Sequence, residues 1–196
     1  MAIRLGTTTI GGMRLGSTEI TKAYLGSTEI YSSSTDGILD LYSAPAAAYS
    51  LRSLSVIPSS FTSSGDTGGD TSGAWVVQVR RSLDDDLKSF TAAELSDGTL
   101  TTWTGSNDAF ISIWYDQSSN ANHTTDGTDS LEPKIVDATT GLIVDASGNP
   151  AAEFNGSNYL TMGTAITATT GTLFTVANLS TTDGEQSIVG ANSAFF

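Results

Sequence analysis

The sequence predicts an all-β fold of many short antiparallel strands, arranged as a small set of hairpin repeats followed by a larger sandwich. Three observations predict it. Charged residues make up only 15% of the 196-residue chain, and Ser, Thr, Gly, Ala, Asn and Asp occupy the places that Leu, Glu, Lys and Gln fill in helical proteins. One short pattern recurs every ten residues at the start of the chain. Beyond it, apolar or alternating runs are broken by Gly, Asp-Gly and Asn-rich segments at the spacing of an antiparallel sandwich.

The repeats read Arg4-Leu5-Gly6-Thr7-Thr8-Thr9-Ile10, Arg14-Leu15-Gly16-Ser17-Thr18-Glu19-Ile20 and Tyr24-Leu25-Gly26-Ser27-Thr28-Glu29-Ile30. Gly at the first central position suits a two-residue hairpin turn, so residues 1–31 should form a β-meander of very short strands. So few large apolar residues cannot sustain isolated hairpins in water. Leu5, Ile10, Leu15, Ile20, Leu25 and Ile30 therefore need a partner surface, either the neighbouring domain or other chains. Because every unit presents the same edge, repetition favours a docking or oligomerisation segment. Residues 32–37 are Ser/Thr-rich and read as a linker, which leaves 38–196 for the main domain.

Within that domain, Ile38-Leu39-Asp40-Leu41-Tyr42 alternates like a strand, and Ala46 to Leu54 suits a short helix with Pro45 in its first turn. Phe61 to Gly73 is a Gly-rich loop in which Asp66 and Asp70 offer hard oxygens to calcium, although it lacks the acidic density of a dedicated site. No other cofactor is expected. Trp75 to Arg81 is a strong strand, with Trp75, Val77 and Val79 on one side and Val76, Gln78 and Arg80 on the other. Arg80 and Arg81 should clamp Asp84 to Asp86 or Asp116. Thr91-Ala92-Ala93-Glu94 has the capping-box pattern and predicts one helical turn ending at Asp97-Gly98. Phe110 to Tyr115 alternates as a core strand and then breaks into a loop ending at His123, in which Asp116, Gln117, Ser118, Ser119, Asn120 and Asn122 can bond locally to backbone. Further strands are expected at Lys134 to Val136, Leu142 to Asp145, Ala151 to Phe154, Tyr159 to Met162, Leu173 to Ala177 and Ser187 to Val189.

Charge narrows the partners. The net charge is −13, with +1 in residues 1–31, which leaves −14 for residues 32–196. An acidic body of this kind repels nucleic acid and anionic membrane surfaces. The chain has no cysteine, so disulfides and thiolate metal sites are excluded. No stretch resembles a signal peptide or a membrane span, so the expectation is synthesis and folding in a cytoplasm.

Several motifs occur in an order that resembles a known family: Ala48 to Ser55, Val79 to Asp86, Trp114 to His123, Pro133 to Val136 and Pro150 to Ser157. They are similar to concanavalin A-like, laminin-G-like jelly-roll domains, both the catalytic domain of the arabinofuranosidase B family and domains of phage virion proteins. The Leu-Gly-Ser-Thr-Glu-Ile repeats resemble N-terminal segments of phage tail and appendage proteins. The resemblance implies a jelly-roll sandwich, a place in a virion assembled in the host cytoplasm, partnership with other virion proteins through residues 1–31, and homo-oligomerisation. It does not carry enzymatic activity over, because the family's catalytic carboxylates lie beyond the matched region; Glu153 and Asp116 sit inside motifs that read as fold signature. The apolar end Ala194-Phe195-Phe196 is odd for a finished sandwich; the expectation is that its last strands lie past Phe196, the alternative being that another chain supplies them.

The expected function is host-surface glycan adhesion by a virion structural protein, with a purely architectural decoration or tail component and an arabinofuranosidase-like hydrolase as alternatives. Sugar recognition combines an aromatic platform with amide and carboxylate groups. Trp103, Asn122 and His123 are the candidate ligand contacts, and Arg80, Arg81, Asp116 and Gln117 the structural clamp.

Overall fold

The computed structural model describes residues 38–41, 45–55, 61–62, 72–125, 127–167 and 171–178, together with backbone strands within 4–32 and at 190–191 and 194–195. Short antiparallel sheet dominates, with few short helices. Met1–Ala165 and Ile166–Phe196 are two compact units.

Each sequence repeat closes on itself. β1 (Arg4–Leu5) pairs with β2 (Thr8–Thr9), β3 (Met13–Leu15) with β4 (Thr18–Ile20), and β5 (Lys22–Leu25) with β6 (Thr28–Ser32). In every case Leu faces Thr across a two-residue connection that begins with Gly: Leu5↔Thr8, Leu15↔Thr18 and Leu25↔Thr28. The expected continuous meander is not what forms among the described residues: the three pairs are separate two-stranded sheets. β6 also runs through Ser32, the first residue assigned to the linker.

The central sheet is built on β9 (Trp75–Arg81), whose β-branched and aromatic run buries both faces from Trp75 to Val79. β9 lies between β10 (Leu87–Thr91) and β11 (Ala109–Trp114). β12 (Thr124–Thr125) follows β11, then β15 (Thr161–Met162), while β13 (Lys134–Asp137) pairs with β11 and with β14 (Gly141–Leu142). All these pairings are antiparallel. A bulge at Ser112 breaks the alternation expected along β11.

One face of the sheet carries the core. Val77, Val79, Phe90 and Ile111 meet Leu95 of α2 (Ala92–Ser96) and Leu100 of α3 (Thr99–Thr104), and each of those six side chains is at most 1% exposed. Full burial of such a side chain contributes roughly 1.5–3 kcal/mol. The Thr91 hydroxyl accepts the Glu94 N–H while the Glu94 carboxylate accepts the Thr91 N–H, which completes the capping box that starts α2. Gly98, at φ +92°, makes the left-handed turn into α3. Gly73 is required for another reason: a Cβ there would lie 2.5 Å from the Trp75 indole.

The opposite face is polar as well as buried. Gln78, Ser89 and Ser112 are each under 9% exposed; Ser112 Oγ donates to the Gln78 carbonyl at 3.2 Å, and the Ser89 and Tyr115 hydroxyls are 3.1 Å apart. Tyr115 is therefore core on one side of β11 while Trp114 packs against the hydrophobic cluster on the other.

Several expected elements differ. Ile38–Leu41 is a short helix, α1, not a strand. Residues 46–54 form bends and irregular backbone instead of a helix, because distant side chains take their backbone groups, as described below. Ala151 to Phe154 contributes a single bridge, Lys134↔Glu153, and the Val144↔Pro150 bridge extends β14's neighbourhood. In the second unit, residues 171–178 have no regular structure, so the strand expected at Leu173 to Ala177 does not form; β16 (Gly190–Ala191) pairs with β17 (Ala194–Phe195). The two further strands are β7 (Phe61–Thr62) and β8 (Ser72–Gly73), paired with each other. Ser187 to Val189 lies outside the described residues. Among the described residues, no helix is long and apolar enough to cross a membrane.

Candidate functional site

The polar loop after β11 is a fastening. The Asp116 carboxylate, fully buried, accepts four hydrogen bonds: from Ala48 N at 2.7 Å, Ser118 N at 2.9 Å, Ser118 Oγ at 2.7 Å and Asn122 N at 2.9 Å. Gln117 Nε2 donates to the carbonyls of Ser50 and Arg52, and its Oε1 accepts Leu54 N at 2.9 Å. Together they hold residues 48–54 against the end of β11 as a strap. Asp116 contacts neither Arg80 nor Arg81, so of the two partner sets expected for these arginines it is Asp84 to Asp86 that forms; the partners of Asp116 are backbone and hydroxyl groups.

Asn122 and His123 belong to the same fastening. The Asn122 amide donates to the Thr164 carbonyl and accepts the Thr164 N–H, both at 2.7 Å, and the Tyr49 hydroxyl donates to the Asn122 carbonyl. Burial, then Asp116, pushes the Tyr49 phenol up to about 12. The His123 ring stands edge-to-face on Tyr115. Trp103 packs its ring against Phe90, with the Arg81 guanidinium 4.7 Å from its centroid. The three expected ligand contacts are thus all engaged inside the protein, Trp103 on α3 and the other two in the loop.

His123 gives the fastening a pH dependence. Its Nδ1 accepts the Asp116 N–H at 3.0 Å, so a proton on that nitrogen would break the bond. Burial lowers the imidazole pKa below its ordinary 6.5, against the opposing pull of Asp116. Because the unfolded chain then takes up the proton first as pH falls, stability is whole above about 6.5 and declines as pH drops through the lower folded value. Thermal melts between about pH 7.5 and pH 5 should show this decline, and His123→Asn should flatten it. Equal slopes in the two proteins would exclude His123 as the source.

Arg80 and Arg81 anchor the other end of β9. Arg81 holds Asp84 at 2.6 Å and Asp86 at 3.1 Å, and donates to the Trp103 carbonyl at 2.7 Å. Arg80 Nε meets Glu132, 3% exposed, at 2.8 Å, while Nη1 meets Asp85 at 2.8 Å. Burial pulls the Arg80 pKa down, but Glu132 and Asp85 outweigh it and the net shift is upward.

Beside this pair lies a cleft of about 200 Å³ lined by Phe110, Glu132, Lys134, Glu153, Asn155 and Asn158. Its geometry follows from local pairing. Lys134 and Glu153 exchange backbone hydrogen bonds at 3.1 and 2.8 Å, which brings the 153–158 turn onto β13. Asn158 Nδ2 ties that turn to the Glu132 carbonyl at 3.0 Å, and its Oδ1 accepts Asn155 N at 2.9 Å. The Phe110 ring forms an apolar wall, with Arg80 5.2 Å and Lys134 5.8 Å from its centroid. Lys134 is held by Asp108 at 2.9 Å and Asp137 at 3.1 Å. Thr139 N–H, then Lys134 and Thr140 N–H, hold the Asp137 carboxyl down to about 2. Glu153 is exposed and makes no ion pair or side-chain hydrogen bond with the described residues, and the same is true of the Asn155 Nδ2 group. Sequence reasoning missed the cleft; the Asn155-Gly156 turn two residues after Glu153 was the signal available.

Asp66, Asp70 and Ile10 lie outside the described residues. Leu5, Leu15, Ile20 and Leu25 occupy paired positions in the N-terminal strands, and Ile30 falls at the β6 register shift. Among the described residues, no group of three or more His, Cys, Asp or Glu side chains converges to hold a metal. No protein-family model matches the chain, and no match was found among curated proteins or solved structures.

Proposed function

We propose that this chain is a structural adhesion protein of a bacteriophage virion, docked to the particle by its N-terminal hairpins and offering the cleft beside Phe110 to host-surface glycans. On this reading the central sheet is one layer of a jelly-roll sandwich. The observation that carries the glycan assignment is the cleft itself: an apolar ring wall beside an exposed carboxylate and an exposed amide donor, the groups that hold a sugar ring and its hydroxyls. Three self-contained hairpins with one common edge pattern support the docking role, as does the likeness of the repeats to phage appendage segments. The placement of Asp116 argues against the hydrolase alternative, since a fully buried carboxylate with four donors cannot reach a glycosidic oxygen.

The test is saccharide binding by the full chain on an array of bacterial surface glycans. Retention of a glycan, weakened about three- to tenfold in Asn155→Ala through loss of one hydrogen bond, is the expected result. Absence of binding to every saccharide would leave the architectural alternative in its place.

A further inference from the structure

Resting on the glycan reading, we infer that the cleft admits neutral or amino-bearing sugar residues and rejects acidic ones, with Glu153 as the specificity-determining group. The reason is a charge imbalance fixed by the fold. One cation, Lys134, lines the cleft and a second, Arg80, stands against its Phe110 wall, and both are already shared. Arg80 faces Glu132 and Asp85 at 2.8 Å each and Asp129 at 3.8 Å; Lys134 faces Asp108 at 2.9 Å and Asp137 at 3.1 Å. Five carboxylates therefore surround two cations before Glu153 is counted. An acidic sugar entering here would find no unshared cation.

The remaining groups point the same way. The Asn155 Oδ1 is engaged by Ser157 N at 2.9 Å, and both ends of the Asn158 amide are used, Oδ1 by Asn155 N within the turn and Nδ2 by the Glu132 carbonyl. What faces the opening is the Asn155 amide N–H pair and the Glu153 carboxylate. A hydroxyl can donate to Glu153 and accept from Asn155; an ammonium group gains an ion pair with Glu153. A carboxylate or phosphate on the sugar gains one amide donor and meets Glu153 as a like charge.

The experiment measures affinities of the full chain for matched sugars of one ring type: the neutral hexose, its 2-amino derivative and its uronic acid. The neutral and amino forms should bind more tightly than the uronic acid by roughly fivefold or more at low salt, and the ratio should shrink as salt screens the field. Glu153→Gln should bring the ratio closer to one. Equal or tighter binding of the uronic acid, or a ratio that Glu153→Gln leaves unmoved, would overturn this inference while the glycan reading stands. Failure to bind any sugar of the array would overturn that reading, and this inference with it.

Discussion

Asp116→Ala should cost about 3–5 kcal/mol of folding stability. The carboxylate is enclosed, and its four donors at 2.7–2.9 Å have no substitute acceptor once it is gone. Three of those donors are backbone N–H groups of Ala48, Ser118 and Asn122, so the variant leaves buried main chain unsatisfied and releases the strap. Asp116→Asn should fall between, because it keeps one acceptor oxygen but turns an NH₂ group toward N–H donors. Urea denaturation with linear extrapolation measures both. A loss under about 1 kcal/mol for Asp116→Ala would mean that water replaces the carboxylate and that the fastening is not a structural keystone.

Arg80→Met should destabilise by a similar amount, about 3–5 kcal/mol, through the partner it abandons. Glu132 is 3% exposed and lies 2.8 Å from Arg80 Nε, so its charge would be left in the interior. Arg80→Lys should recover only part of the loss, since an ammonium group cannot reach Glu132, Asp85 and the Asp129 carbonyl together as the planar guanidinium does. The double variant Arg80→Met with Glu132→Met should recover most of it, because a buried pair replaced by apolar groups removes both desolvation costs. If the double variant were no more stable than Arg80→Met alone, the loss would come from packing around Phe110 and not from the broken Arg80–Glu132 pair.

How far the sequence could be read depended on how local the cause was. The capping box at Thr91 and Glu94 and the three hairpins need only neighbours within a few residues, and both are recognisable in the bare sequence. α3 was missed because Thr99 to Thr104 is rich in a poor helix former; Leu100 and Trp103 earn their place by packing on Phe90. The strap was misread for the opposite reason. Its Pro45 and alanines favour a helix, yet Asp116 and Gln117 claim the Ala48 and Leu54 N–H groups and the Ser50 and Arg52 carbonyls that a helix would use internally. The cleft is assembled from residues 110, 132, 134, 153, 155 and 158, which the Lys134↔Glu153 bridge and the Asn158 tie to the Glu132 carbonyl bring together. No periodicity within one segment carries that information.

The strap also bears on how quickly the chain reaches its native state. Its tie from Ala48 to Asp116 spans 68 residues, whereas Arg81 N bonds to Asp86 O across the tight turn between β9 and β10. Loop-closure entropy grows with the logarithm of the span, so closing the strap costs about 2 kcal/mol more than closing that hairpin. The hairpin can form early from local contacts, while the strap has to wait for a finished β11 end to receive it. Residues 45–55 are therefore expected to order after the β9–β10 hairpin and the end of β11, and to open before them during sub-global excursions of the native protein.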